Sequence, residues 1–113
     1  MPAKQPSLRY IGRQLAQLRH ARQLTQEDLG ERLEIGAEAV SRLERGLVDL
    51  SVTKLLQLAD IFQCSAAELL VAISPRAQDQ AQTFATLLDK LSAEDRQFAL
   101  DSVERLAAHL ARK

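Results

Sequence analysis

A chain of 113 residues holds one domain, or one domain with an appendage, and its 46% of apolar residues suffices for a real core. Fifteen basic residues balance fifteen acidic ones, which excludes a strongly basic nucleic-acid coat. The single cysteine, Cys64, excludes a disulfide framework and suits a reducing compartment. Aromatics make up only 4%, so the core must come from Leu, Ala, Ile and Val. With four Gly, three Pro and no period-two alternation, the fold class is all-α. No apolar run approaches the roughly 20 residues of a membrane span, and the N-terminus lacks the apolar centre of a secretory signal. A soluble, cytoplasmic protein without a membrane partner is the reading these facts favour.

In chain order, residues 1–7 read as a flexible polar tail, closed by Ser7 as the N-cap of a first helix from Leu8 to about Arg22. Leu8, Ile11, Leu15 and Leu18 form its apolar face, at steps of three and four. Lys4, Arg9, Arg13, Arg19 and Arg22 all precede the first acid, Glu27, so this segment is locally positive and could face a phosphate backbone. Thr25 and Asp28 have the spacing of a capping box for a second helix carrying Leu29 and Leu33. Leu33-Glu34-Ile35-Gly36 is a break. A third helix follows with Val40, Leu43 and Leu47 on one stripe, and Gly46 suits a left-handed helix end. Two short helices meeting at a corner of three or four residues have the spacing of a helix-turn-helix.

The loop Leu47-Val48-Asp49-Leu50 is expected to pack over the core, with a dimer or partner surface as the alternative. Ser51 or Thr53 caps a fourth helix that buries Leu55, Leu58, Ala59 and Phe62. Ser65 and Glu68 form a second capping box for a short fifth helix with Leu69, Leu70 and Ile73 to bury. Ser74-Pro75 ends it, because a residue before proline disfavours the helical region. That gives a domain over residues 8–74. Over residues 75–113, Ala77, Ala81, Phe84, Leu88 and Leu91, then Ala99, Val103, Leu106 and Leu110, repeat at steps of four and three. Two helices in a hairpin fit, with Ser92 opening the second. Neither can bury its seam alone, so a dimer contact is the preferred reading and packing within the chain the alternative.

Several strings in order carry a family resemblance: Leu24-Thr25-Gln26-Glu27-Asp28-Leu29, Val40-Ser41-Arg42-Leu43-Glu44-Arg45-Gly46, Leu55-Leu56-Gln57-Leu58-Ala59 and Glu68-Leu69-Leu70. From about Leu8 to Val71 the chain resembles the phage repressor and Cro type of helix-turn-helix regulator, the XRE family. The resemblance implies a five-helix, lambda-repressor-like bundle that binds double-stranded operator DNA, usually as a homodimer, with repression the commoner outcome. It implies DNA contacts at the start of the third helix, Gly36, Ala37, Glu38 and Ala39, with Ser41, Arg42 and Arg45 further along, and at Gln26 on the groove edge. It also implies a partly buried pair between Arg19 and Glu44 that fixes the angle of the reading helix.

Arg42 can bond guanine O6 and N7 together, or simply meet a phosphate or water. Glu38 can accept from cytosine N4, or serve only as an acid at a helix N-terminus. Ala37 and Ala39 offer methyls alone, where the family often has polar groups, so DNA shape contributes to recognition. Arg13 and Arg22 are phosphate candidates by location. Cys64 reads as a small hydrophobe rather than a redox sensor. His20 and His109 stand apart from any acid or Cys cluster at ligand spacing, so no metal is expected. No glycine-rich phosphate loop and no nucleophile with a credible base is present, so neither an enzyme nor a cofactor is expected. Residues 75–113 are too few for a ligand-sensing domain. The alternative to a regulator is an antitoxin-like or adaptor protein whose C-terminal hairpin binds a protein partner, with DNA binding secondary.

Overall fold

The computed structural model describes residues 5–112, and all of its elements are helices: α1 (Gln5–Ala21), α2 (Gln26–Leu33), α3 (Ala37–Glu44), α4 (Val52–Phe62), α5 (Ala66–Ile73), α6 (Ala77–Asp89) and α7 (Ala93–Ala111). The chain forms two compact units, one reaching to Gln80 and the other starting at Ala81.

The first unit is held by one core that takes Leu15 from α1, Leu29 and Leu33 from α2, Val40 from α3, Leu55, Leu58, Ala59 and Phe62 from α4, and Leu69 and Ile73 from α5. Those positions recur at three- and four-residue steps, so each short helix contributes one stripe. Ile11, Leu18, Ile35, Leu50, Ile61 and Cys64 pack against it from its edge. Burial, followed by the nearby Glu68, raises the Cys64 thiol above its ordinary pKa, so it stays protonated and behaves as a small apolar group.

The helix starts follow the local sequence. Thr25 Oγ1 accepts from the Asp28 amide at 2.9 Å, and Asp28 accepts in return from the Thr25 amide at 3.0 Å. That backbone donor, followed by the Thr25 side chain, holds the Asp28 carboxyl below its ordinary pKa. Ser65 and Glu68 make the same reciprocal box, while Ser51 and Ser92 each cap with one bond. The first helix departs from expectation. It includes Gln5, so Ser7 lies inside α1 rather than capping it. Pro6 is tolerated there because a first-turn N–H has no helical partner to lose. The expected tail at residues 1–4 lies outside the described residues.

The helix ends are less legible. Four of them close on a left-handed residue, at Gln23 (φ 58), Glu34 (φ 61), Gly46 (φ 76) and Gln63 (φ 59). At each, the next amide reaches back five residues: Leu24 to Arg19, Ile35 to Gly30, Leu47 to Arg42 and Cys64 to Ala59. Two expected core positions are corrected by this geometry. Leu47 is 60% exposed, because α3 stops at Glu44 and Gly46 turns the chain off the stripe. Leu70 is 51% exposed, because Leu69 and Ile73, four apart, already define the buried face of α5. In the loop between α3 and α4 only Leu50 packs on the core, while Val48 is exposed as well as Leu47.

In the second unit, α6 and α7 meet at a corner fixed by Arg96. Its guanidinium donates to the Leu88 and Leu91 carbonyls at 3.2 and 3.0 Å, where α6 ends. No residue of either helix is buried. Along the two seams Phe84, Leu88 and Ala99 are half-buried, while Leu91, Val103, Leu106 and Leu110 are exposed.

Candidate nucleic-acid interface

α2 and α3 form a compact corner because Gly30 has no side chain. A Cβ there would come within 2.8 Å of the Ile35 carbonyl oxygen. Gly36 is the N-cap of α3 and supplies no side-chain bond, so the first amides of α3 are left to other partners. Glu38, Arg42 and Arg45 are exposed, and Ala37, Ala39 and Ser41 half-buried, while Val40 on the opposite side is sealed in the core. Ser41 Oγ accepts from Arg45 Nε at 3.1 Å, and Arg45 lies 3.9 Å from Glu38 across two turns. Both of these charges are more than half exposed, so the pair adds little to stability and can open for a ligand.

The tilt of α3 is set from below. The Arg19 side chain, 8% exposed, grips the Glu44 carboxylate, 7% exposed, with Nε to Oε2 at 2.6 Å and a second terminal nitrogen to Oε1 at 3.0 Å. Its remaining nitrogen donates to the Leu24 carbonyl at 2.9 Å, which ties the same guanidinium to the approach to α2. Such a two-pronged charged pair fixes direction as well as distance. Gly12 completes the clamp. A Cβ on it would overlap the Glu44 carbonyl oxygen and come within 2.5 Å of that of Leu43, so α1 and α3 touch backbone to backbone. The sequence offered a signal for this contact, since a glycine inside a helix costs stability unless something approaches closely.

Gln26 stands at the first turn of α2, half-buried, with its side-chain nitrogen 2.9 Å from Glu44 Oε1. Residue spacing gives no hint of that bond. Arg13 is exposed on α1. Arg22, also exposed, has partners within the fold. It donates to the Phe62 carbonyl at 2.9 and 3.2 Å, and its guanidinium stacks 4.9 Å from the Phe62 ring centre. It closes the C-terminus of α4, a role in the fold that location alone did not suggest. Among the described residues no group of His, Cys, Asp and Glu could hold a metal ion, and no single helix is long and apolar enough to cross a membrane.

The family described as the helix-turn-helix domain matches residues 11–71, which span α2, α3 and the clamp beneath them. The chain belongs to that family. DNA binding and control of transcription are the roles this membership supports. Two crystal structures of the clp gene regulator ClgR from Corynebacterium glutamicum share the fold. One is 23% identical, with a TM-score of 0.55 over 65% of this chain and 91% of that one. The other is 21% identical, with a TM-score of 0.57 over 74% and 87%. No curated protein matches the chain.

Proposed function

We propose that this helix-turn-helix protein is a sequence-specific repressor of the phage repressor and Cro type, cytoplasmic, reading a near-palindromic operator as a homodimer. The observation that carries the reading is the exposed outer face of α3, from Gly36 to Arg45, held at a fixed tilt by the buried Arg19–Glu44 pair. A helix so presented enters the major groove with its N-terminal half against base edges. Arg42 then reads guanine, at about 1–3 kcal/mol of discrimination. Glu38 accepts from cytosine, Ala37 and Ala39 meet thymine methyls, Gln26 contacts the groove edge, and Arg13 and Arg45 meet phosphates. The α6–α7 seams supply the dimer contact, with reading helices about 34 Å apart.

The test is selection of bound duplexes from a random pool, followed by a salt titration of the best one. The expected result is a near-palindrome whose affinity falls steeply with salt, and an Arg42→Ala variant that loses preference at one base pair per half-site. Recovery of no preferred sequence would overturn it. One observation favours a second reading, a protein partner: Leu47, Val48, Val52 and Leu56 are all exposed on the first unit. A stoichiometric co-purifying protein, with no preferred duplex, would decide for it.

A further inference from the structure

A cavity of about 480 Å³ lies on the first unit, where α1, α5 and the start of α6 meet. Small-molecule sites commonly span roughly 300–1,000 Å³. Its walls are mostly apolar, with Ile11 of α1, Leu70, Val71 and Ile73 of α5, and Pro75. Three polar residues, Ser74, Arg76 and Asp79, also line it. The Ser74 hydroxyl donates to Asp79 Oδ2 at 2.6 Å and accepts from the Arg76 amide at 3.1 Å, so the Asp79 carboxylate is held in place. The Arg76 guanidinium is held less firmly. Its Nε stands 3.9 Å from the same Asp79 oxygen, and its side chain is 70% exposed against 28% for Asp79. Its other printed partner is the exposed Gln78, at 3.0 Å. Such an open pair adds little, and Arg76 can turn out into water. The charge fixed in the cavity is therefore negative. One hydroxyl is a poor partner for a carboxylate among apolar walls.

We propose that this cavity is a binding site for a small apolar cation, an ammonium group on an alkyl or aromatic body. The body displaces water from Ile11, Leu70, Val71 and Ile73, while the cation meets Asp79 and releases Arg76 to solvent. An anionic ligand would face the Asp79 carboxylate and gain only the exposed Arg76. The site bears on α3 through α1. Ile11 lines the cavity, and Gly12, next to it, is where α1 touches the Leu43 and Glu44 carbonyls of α3. Occupancy is therefore expected to change duplex affinity. That consequence rests on the DNA-binding reading above, whereas the site itself does not.

The experiment titrates the whole chain near neutral pH with n-octylammonium and, as its anionic match, n-octanoate, both below micelle-forming concentration. Methyl signals are followed by NMR and heat by calorimetry. Octylammonium is expected to saturate one site, to shift the Ile11, Val71 and Ile73 methyls, and to bind about tenfold more tightly than octanoate. Asp79→Asn keeps the shape and an acceptor for Ser74, and should remove most of that difference. Octanoate binding as well as the amine, Asp79→Asn without effect, shifts elsewhere, or no saturation would each overturn the proposal. The comparison of the two ligands on the wild-type chain stands even where Asp79→Asn does not fold. The selected duplex is then titrated at constant ionic strength with the cavity empty and saturated. A change in affinity of about fivefold or more supports the effect on α3, and an unchanged affinity overturns that effect alone. If the wild-type chain selects no duplex, the DNA-binding reading falls together with the effect on α3, and the octylammonium titration still decides the site.

Discussion

Glu44 and Gly12 do at residue scale what the α1–α3 junction needs: one binds the two helices electrostatically, and the other lets their backbones touch. Removing the Glu44 carboxylate leaves Arg19 buried at 7% exposure with its charge uncompensated. Breaking such a pair costs about 3–5 kcal/mol. Glu44→Ala is therefore expected to lower Tm by roughly 10 °C or more, and to weaken DNA binding in parallel. Calorimetry beside a binding titration checks this, and unchanged melting with lost binding would refute the structural role. Gly12→Ala tests the other half. One methyl added where backbone carbonyls already stand forces α1 and α3 apart, at a cost of about 1–3 kcal/mol. Because α3 itself shifts, operator affinity should fall even when measured well below the new Tm. A variant with lower Tm and intact affinity would show that α3 keeps its tilt without this contact.

Helix ends show, at the scale of elements, which information is local. Capping boxes at Thr25 and Ser65 and the apolar stripe of α4 were legible because each is a relation between residues three or four apart on one segment. The α2–α3 corner was legible for the same reason. Left-handed ends at Gln23, Glu34 and Gln63 were not, since neither Gln nor Glu announces a positive φ as Gly46 does. Nor were Arg22 on the Phe62 carbonyl and Gln26 on Glu44, which join segments 40 and 18 residues apart. Such pairings become visible only once the helices are packed. The non-glycine ends carry a testable cost. Gln63 holds a left-handed conformation worth about 1–2 kcal/mol against an L-residue, and it lies outside the α2–α3 pair. Gln63→Gly removes that strain at some cost in unfolded-chain entropy, so a net gain of about 1 kcal/mol or less is expected, a rise of a few degrees in Tm. DNA affinity should not move. A fall in Tm would mean that the Gln63 side chain contributes more than its backbone costs.

On the scale of the whole molecule the two units are built on different terms. Among the described residues the first buries ten apolar side chains in one core, whereas α6 and α7 bury none while leaving Leu87, Phe98, Val103, Leu106 and Leu110 exposed. Helices of 13 and 19 residues with exposed apolar residues draw little stability from propensity alone, and a second surface would add to it. The proposed dimer supplies one: the same seam on another copy. Leu106 is 57% exposed in the single chain, where a polar substitution would be worth no more than about 0.5 kcal/mol either way. In a dimer seam, the same change buries an unpaired charge and opposes assembly. Leu106→Glu is therefore expected to halve the mass seen by sedimentation at micromolar concentration, to lower Tm only where the wild type's Tm rises with concentration, and to reduce operator binding to that of a half-site. Ala108→Glu, two residues on and nearly opposite around the helix, adds the same charge and should leave the dimer intact. Persistence of the dimer in Leu106→Glu would move the contact from α7 to the first unit, where Leu47, Val48, Val52 and Leu56 are exposed.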